Sequence, residues 1–160
     1  MALMYNCISR MALVAAVLLG LAACRGNAPE APVSNPAAEA AWATISDLAI
    51  TDVVTGEGPI AAPGSMVEVH YEGWLYDPAA PDQRGRKFDT SRERGRPFRF
   101  RIGSGTVIKG WEEGVSGMRT GGTRELLVPA RLGYGERGAG GGVIPPGAAL
   151  LFEIELRAIE

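Results

Sequence analysis

Val67-Glu-Val-His-Tyr-Glu-Gly-Trp74 alternates apolar and polar residues: Val67, Val69 and Tyr71 share one face, and Glu68, His70 and Glu72 share the other. A period of two belongs to an extended strand, and a one-sided strand belongs to an antiparallel sheet with a packed and a wet face. The pattern recurs. Phe98-Arg-Phe-Arg-Ile102 points its apolar side chains one way and its arginines the other. Leu150-Leu-Phe-Glu-Ile-Glu-Leu-Arg-Ala158 sets Leu150, Phe152, Ile154, Leu156 and Ala158 against Glu153, Glu155 and Arg157. Gly122–Pro129 supplies a fourth strand and Ile45–Val54 a fifth. Something must cover the packed face. Ile108–Met118, with Trp111 and Val115 four apart, has helical spacing, although its glycines make it weak without packing. The expected fold class is α+β: a curved antiparallel sheet of about five strands packed on one short helix.

Composition narrows the chemistry. The two cysteines, Cys7 and Cys24, both lie near the N-terminus, so no disulfide framework holds the folded part. One histidine, His70, with no cysteine beside it argues against a zinc site. Sixteen Lys and Arg against 18 Asp and Glu imply no nucleic-acid partner. In Gly103-Ser-Gly-Thr-Val-Ile-Lys-Gly110, Ile108 and Gly110 flank the lysine where a phosphate loop needs Gly and Ser or Thr. Gly138-Ala-Gly-Gly-Gly142 reads as a loop tip, and no cofactor is implied. His70, opposite the apolar face, reads as a structural or surface histidine rather than the base of a triad. The charge-rich stretch 84–96 reads as a solvated loop.

The chain divides into three segments. Arg10 precedes an apolar run, Met11–Ala23, of 13 residues, which is short for a membrane span and right for the core of an export signal. The run ends in Leu21-Ala-Ala-Cys24, which resembles the bacterial lipobox, where cleavage precedes a cysteine that is then lipidated. Residues 1–23 are therefore expected to be a lipoprotein signal peptide. Residues 24–43 are expected to be the lipidated Cys24 and a flexible Ala- and Pro-rich linker that lacks core-forming side chains. Trp42 is its exception and marks the approach to the domain; a short helix over Ala37–Ala43 stays open. Residues 44–160 are expected to be the folded domain. Arg25 after the cysteine, rather than Asp, points to the outer membrane, facing the periplasm.

The positive signal is a set of aromatics with particular neighbours: Val69-His-Tyr71, Lys87-Phe-Asp-Thr-Ser91, Pro97-Phe98, Val107-Ile-Lys-Gly-Trp-Glu-Glu-Gly114, Leu132-Gly-Tyr-Gly135, Val143-Ile-Pro-Pro146 and Leu151-Phe-Glu-Ile154. Singly, each aromatic reads as core. In this order they resemble the FKBP family of peptidyl-prolyl cis–trans isomerases, over residues 44–160 nearly end to end. The resemblance implies a pocket with Trp111 as floor. It makes Tyr71, Phe88, Phe98 and Phe152 the walls, with Val107 and Ile108 at one side. It gives Tyr134 as a hydroxyl donor at the rim, Asp89 as an orienting carboxylate, the Ile108 N–H as a second donor, and Ile144 on a loop overhanging the pocket. The partners it implies are proline-containing unfolded polypeptides and macrolide inhibitors of the rapamycin class. Two segments depart from the family pattern. Residues 77–86 are longer than in minimal members, and the loop from Tyr134 to Val143 is one residue longer. Residues 77–86 and 138–142 lack core-forming side chains and are expected to be the most mobile parts of the domain. Two functional classes follow: an isomerase acting on exported or envelope proteins, or a proline-binding chaperone module with incidental turnover. An intact set of pocket residues, Asp89 and Tyr134 included, favours the enzyme.

Overall fold

Alternation in the sequence becomes a sheet in the computed structural model, which describes residues 35–160. In chain order the elements are α1 (Pro36–Trp42), β1 (Ala49–Val54), β2 (Met66–Tyr76), β3 (Arg84–Thr90), β4 (Phe98–Arg101), α2 (Lys109–Val115), β5 (Thr123–Val128) and β6 (Leu150–Ile159). Among the described residues the sheet has six strands, ordered β1-β5-β6-β2-β3, with β4 also paired to β2. Every pairing is antiparallel. The long β2 and β6 lie at the centre, so Val67, Val69, Leu126, Ile154 and Leu156 are completely buried on the packed face.

The glycines of α2 have a packing reason. A Cβ at Gly110 would stand 2.5 Å from a Val128 methyl, and one at Gly114 would stand 2.5 Å from a Leu126 methyl. Spaced four apart, the two glycines form one face of the helix that lies directly on β5. Propensity is lost, and close approach is gained. Arg124 secures the other end of α2: it points to the packed side of β5, donates to the Gly114 and Ser116 carbonyls, and pairs with Asp52 of β1. Carbonyls at a helix C-terminus lack partners within the helix, and a guanidinium there supplies them.

Two expectations need correction. The linker reading, carried to residue 43, ends too late. Asn35 caps α1 by accepting from the Ala37 N–H, and Pro36 opens the helix. Trp42 then buries its ring and donates its indole N–H to the Tyr76 carbonyl at 2.7 Å. Replacing Trp42 with Phe keeps the ring and leaves that buried carbonyl unpaired. The expected loss is about 1–3 kcal/mol in urea unfolding, and an unchanged midpoint would show that α1 contributes nothing. The expected signal peptide, Cys24 and the expected linker as far as residue 34 lie outside the described residues.

The second correction concerns the stretch 84–96, which is not a solvated loop throughout. Residues 84–90 form β3, an additional strand beside β2. Arg84 lies over the buried Trp74 ring, 4.4 Å from its centroid, and reaches Glu153 at 2.7 Å and Glu125 at 3.2 Å. These contacts tie β3 across the wet face to β6 and β5. The segment 77–86 is thus outside the sheet only over residues 77–83.

Candidate active site

The cavity opens on the packed side, where the sheet, α2 and the loops after β4 and β5 leave a space of about 380 Å³. It is lined by Tyr71, Phe88, Asp89, Phe98, Thr106, Val107, Ile108, Trp111, Tyr134 and Phe152. Each element contributes in a way its sequence dictates. Tyr71 follows Val67 and Val69 on the inner face of β2, and Phe152 sits opposite Gly73 on β6. That glycine is required. A Cβ there would stand 2.8 Å from both the Phe152 and Phe88 rings, which meet edge to face with centroids 5.6 Å apart.

Trp111 lies in the first turn of α2 and is 5 % exposed. Its ring meets Tyr71 at 4.9 Å, Phe152 at 5.3 Å and Phe98 at 6.0 Å, all near perpendicular. Edge-to-face contact suits the ring quadrupoles and locks the walls against the floor. The indole N–H is buried without a partner among the described residues. Such a donor costs about 1–3 kcal/mol, which the packing of four aromatic rings around it offsets. Ile108 is the N-cap of α2, with extended backbone; its carbonyl accepts from Trp111 and Glu112, and the residue lines the cavity at the helix start.

The polar edge is a three-residue cluster. Asp89 accepts from the Tyr71 hydroxyl at 2.5 Å and from Arg94 at 2.7 Å, and Arg94 also donates to the Tyr71 oxygen at 2.6 Å. Partial burial pushes the Asp89 carboxyl upward, but the Tyr71 and Arg94 hydrogen bonds and the Arg94 charge outweigh it and hold the group below its ordinary value. Tyr71 moves the other way: burial, then its hydrogen bond to Asp89, pushes it up to about 12. Tyr134 at the rim is raised by burial and by the Asp89 charge. At neutral pH the cavity therefore presents one fixed carboxylate and two neutral phenols.

Of the residues singled out from the sequence, one is placed elsewhere. Ile144 is 5 % exposed, packs into the core, and does not line the cavity. Its backbone bonds to Ala139 in both directions, closing the glycine-rich loop into a tight turn that draws the side chain inward. Val143 is the exposed residue there, and its carbonyl accepts from Arg86 of β3. Sequence reasoning missed Arg94 and Thr106. Thr106 adjoins Val107 and needed only one more step along the chain. Arg94 sits among Arg92, Glu93 and Arg96, where composition speaks only of solvent. His70 stays off the cavity, with its Nδ1 3.1 Å from the Ser91 hydroxyl. Among the described residues no group of three or more His, Cys, Asp or Glu side chains could hold a metal ion.

Comparison with known proteins places this geometry. Residues 58–157 match the model of the FKBP-type peptidyl-prolyl cis-trans isomerases. An FK506-binding protein of Streptomyces anulatus is 49 % identical over 114 residues, spanning 71 % of this chain and 87 % of that protein. One from Neisseria meningitidis serogroup A is 48 % identical over 112 residues, spanning 70 % and 95 %. Among solved structures, AtFKBP13 superposes with a TM-score of 0.61 at 45 % identity, covering 71 % of this chain and 93 % of that one. FkpA from Escherichia coli also gives 0.61, at 36 % identity, covering 71 % and 48 %. An aromatic cavity with a single polar edge, in a chain this similar over this length, leaves one assignment: the chain belongs to the FKBP-type peptidyl-prolyl cis–trans isomerase family.

Proposed function

We propose that this isomerase turns Xaa-Pro bonds in exported and envelope polypeptides as they fold, held at a membrane by a lipid on Cys24. The observation that carries the catalytic part is the cavity itself, an apolar, ring-walled space with donors only at its edge. Rotation about a peptide bond costs about 18–20 kcal/mol because amide resonance is lost. Water favours the planar, charge-separated amide over the twisted one. A cavity that replaces water with aromatic walls removes that preference. A pyrrolidine ring seated on Trp111 fixes the proline side of the bond while the preceding carbonyl turns. The Tyr134 hydroxyl and the Ile108 N–H are the donors within reach of carbonyls at the mouth, and Asp89 with Arg94 holds Tyr71 upright as a wall. Each tenfold acceleration requires about 1.4 kcal/mol, so desolvation and two hydrogen bonds account for several powers of ten. The complete wall set and the Asp89 cluster favour turnover over a proline-binding module alone.

Macrolides of the FK506 and rapamycin class fit the same reading, because the relatives carry the name FK506-binding protein and the cavity is apolar with a polar edge. The test is a proline-isomerisation assay on the full chain in neutral detergent, with and without rapamycin. The expected result is acceleration over the spontaneous rate that rapamycin removes; a rate equal to the spontaneous one overturns the enzyme reading. The location rests on Leu21-Ala-Ala-Cys24 after a short apolar run. Cys24→Ser is expected to abolish labelling by a palmitate analogue and to shift the protein out of the outer-membrane fraction. Labelling that survives the substitution would refute the anchor.

A further inference from the structure

We infer that the shallow basic depression beside the cavity is a subsite for an acidic side chain of the polypeptide substrate, with Arg96 as the residue that selects it. The inference rests on the isomerase reading and names a preference of that same site. The depression has a volume of about 650 Å³ and shares two walls, Tyr71 and Phe98, with the cavity. Its rim is formed by Arg94, Arg96, Arg99 and Glu68. Phe98 is 38 % exposed and lies 6.0 Å from the Trp111 ring, so it stands as a partition between the two spaces. An extended chain advances about 3.3–3.6 Å per residue. A side chain two or three residues from a proline seated on Trp111 therefore reaches the far side of Phe98.

The charges there are not equivalent. Arg94 is committed to Asp89, and Arg99 to Glu68 and Glu160. Glu68 is thus already satisfied. Arg96 is exposed and has no carboxylate within ion-pair distance among the described residues. Of the eight Lys and Arg residues from Arg84 to Arg101, Arg84, Lys87, Arg92, Arg94 and Arg99 face carboxylates that the fold brings to them, so Arg96 is the guanidinium on this rim left for a ligand. A guanidinium at the mouth pairs well with a carboxylate and repels an ammonium.

The experiment uses the full chain in neutral detergent and Xaa-Pro peptides that differ only in carrying Glu, Gln or Lys two or three residues before or after the proline. At low ionic strength, kcat/KM is expected to favour Glu over Lys about fivefold at one of these placements, the scale of one partly exposed charge pair. The difference should lie in KM and shrink toward one at about 0.5 M salt. Arg96→Glu is expected to reverse the order. Arg157→Glu, on the wet face, changes net charge equally and should leave the order intact. Equal rates for all peptides, or the same reversal from Arg157→Glu, would overturn the subsite and leave the isomerase reading standing. No acceleration of any peptide over the spontaneous rate would overturn both.

Discussion

Replacing Trp111 with alanine is expected to lower the unfolding free energy by about 3–5 kcal/mol and to reduce isomerisation to near the spontaneous rate. The side chain is 5 % exposed, and its ring is held by Tyr71, Phe98, Phe100 and Phe152 with centroids 4.9–6.0 Å away. Truncation deletes the floor of the cavity and releases the four neighbouring rings together. The surroundings collapse poorly, because Gly110 and Gly114 already hold α2 at its closest approach to Val128 and Leu126. Part of the cost is recovered, since the unpaired indole N–H leaves with the ring. Urea unfolding and a peptide assay on the same preparation measure both effects. A stability within about 1 kcal/mol of the parent would show that the rings pack independently of the floor.

Asp89→Val is expected to act on turnover more than on folding. Valine keeps roughly the shape and removes the acceptor that orients both the Tyr71 hydroxyl and Arg94. The expected loss in kcat/KM is tenfold or more, equivalent to at least about 1.4 kcal/mol of transition-state stabilisation. Tyr134→Phe removes one neutral donor at the rim and should cost less, about 0.5–1.5 kcal/mol. Activity of Asp89→Val equal to the parent, with circular dichroism unchanged, would place the important polar group elsewhere. The same cluster sets a pH window. Asp89 titrates below its ordinary 3.8 when folded, so its contribution is present above that value and is lost as pH falls through the folded value. Tyr71 is raised from 10.0 to about 12, so its contribution is present below 10.0 and is lost as pH rises through about 12. From about pH 4 to 10 neither changes its proton, and this cluster imposes no inflection on kcat/KM across that range.

The sheet was legible because its strands are one-sided. Burial follows alternation along β2 from Val67 to Tyr71 and along β6 from Phe152 to Leu156. What escaped were elements whose stability lies in contacts far along the chain. β3 reads as charge because its residues alternate Arg, Gly and Lys; only Trp74, Glu125 and Glu153, brought beneath Arg84 by the sheet, make it a strand. α1 reads as linker because seven residues cannot sustain a helix alone, and the Tyr76 carbonyl that receives Trp42 is 34 positions away. The cavity residues were legible through the family's strings rather than through physics. Alternation explains Tyr71 and Phe152, but nothing local distinguishes Asp89 from any other carboxylate or pairs it with Arg94. Ile144 shows the limit of carrying a role across: its backbone pairs with Ala139 and its side chain packs inward.

The early start of α1 sets the length of a leash. With Trp42 bound to Tyr76 and Asn35 bound to Asp77 at 2.9 Å, α1 is fastened to the domain near both of its ends. Under the proposed lipid on Cys24, at most residues 25–34, ten in number, can separate the anchor from the fastened Asn35. Ten residues extend at most about 33–36 Å. An enzyme confined to a hemisphere of that radius meets any polypeptide held at the same spot at a concentration on the order of 10 mM. At such a concentration, even weak, sequence-tolerant capture of proline is enough to keep the site occupied, while a chain that diffuses out of that shell is released from it without any change in affinity.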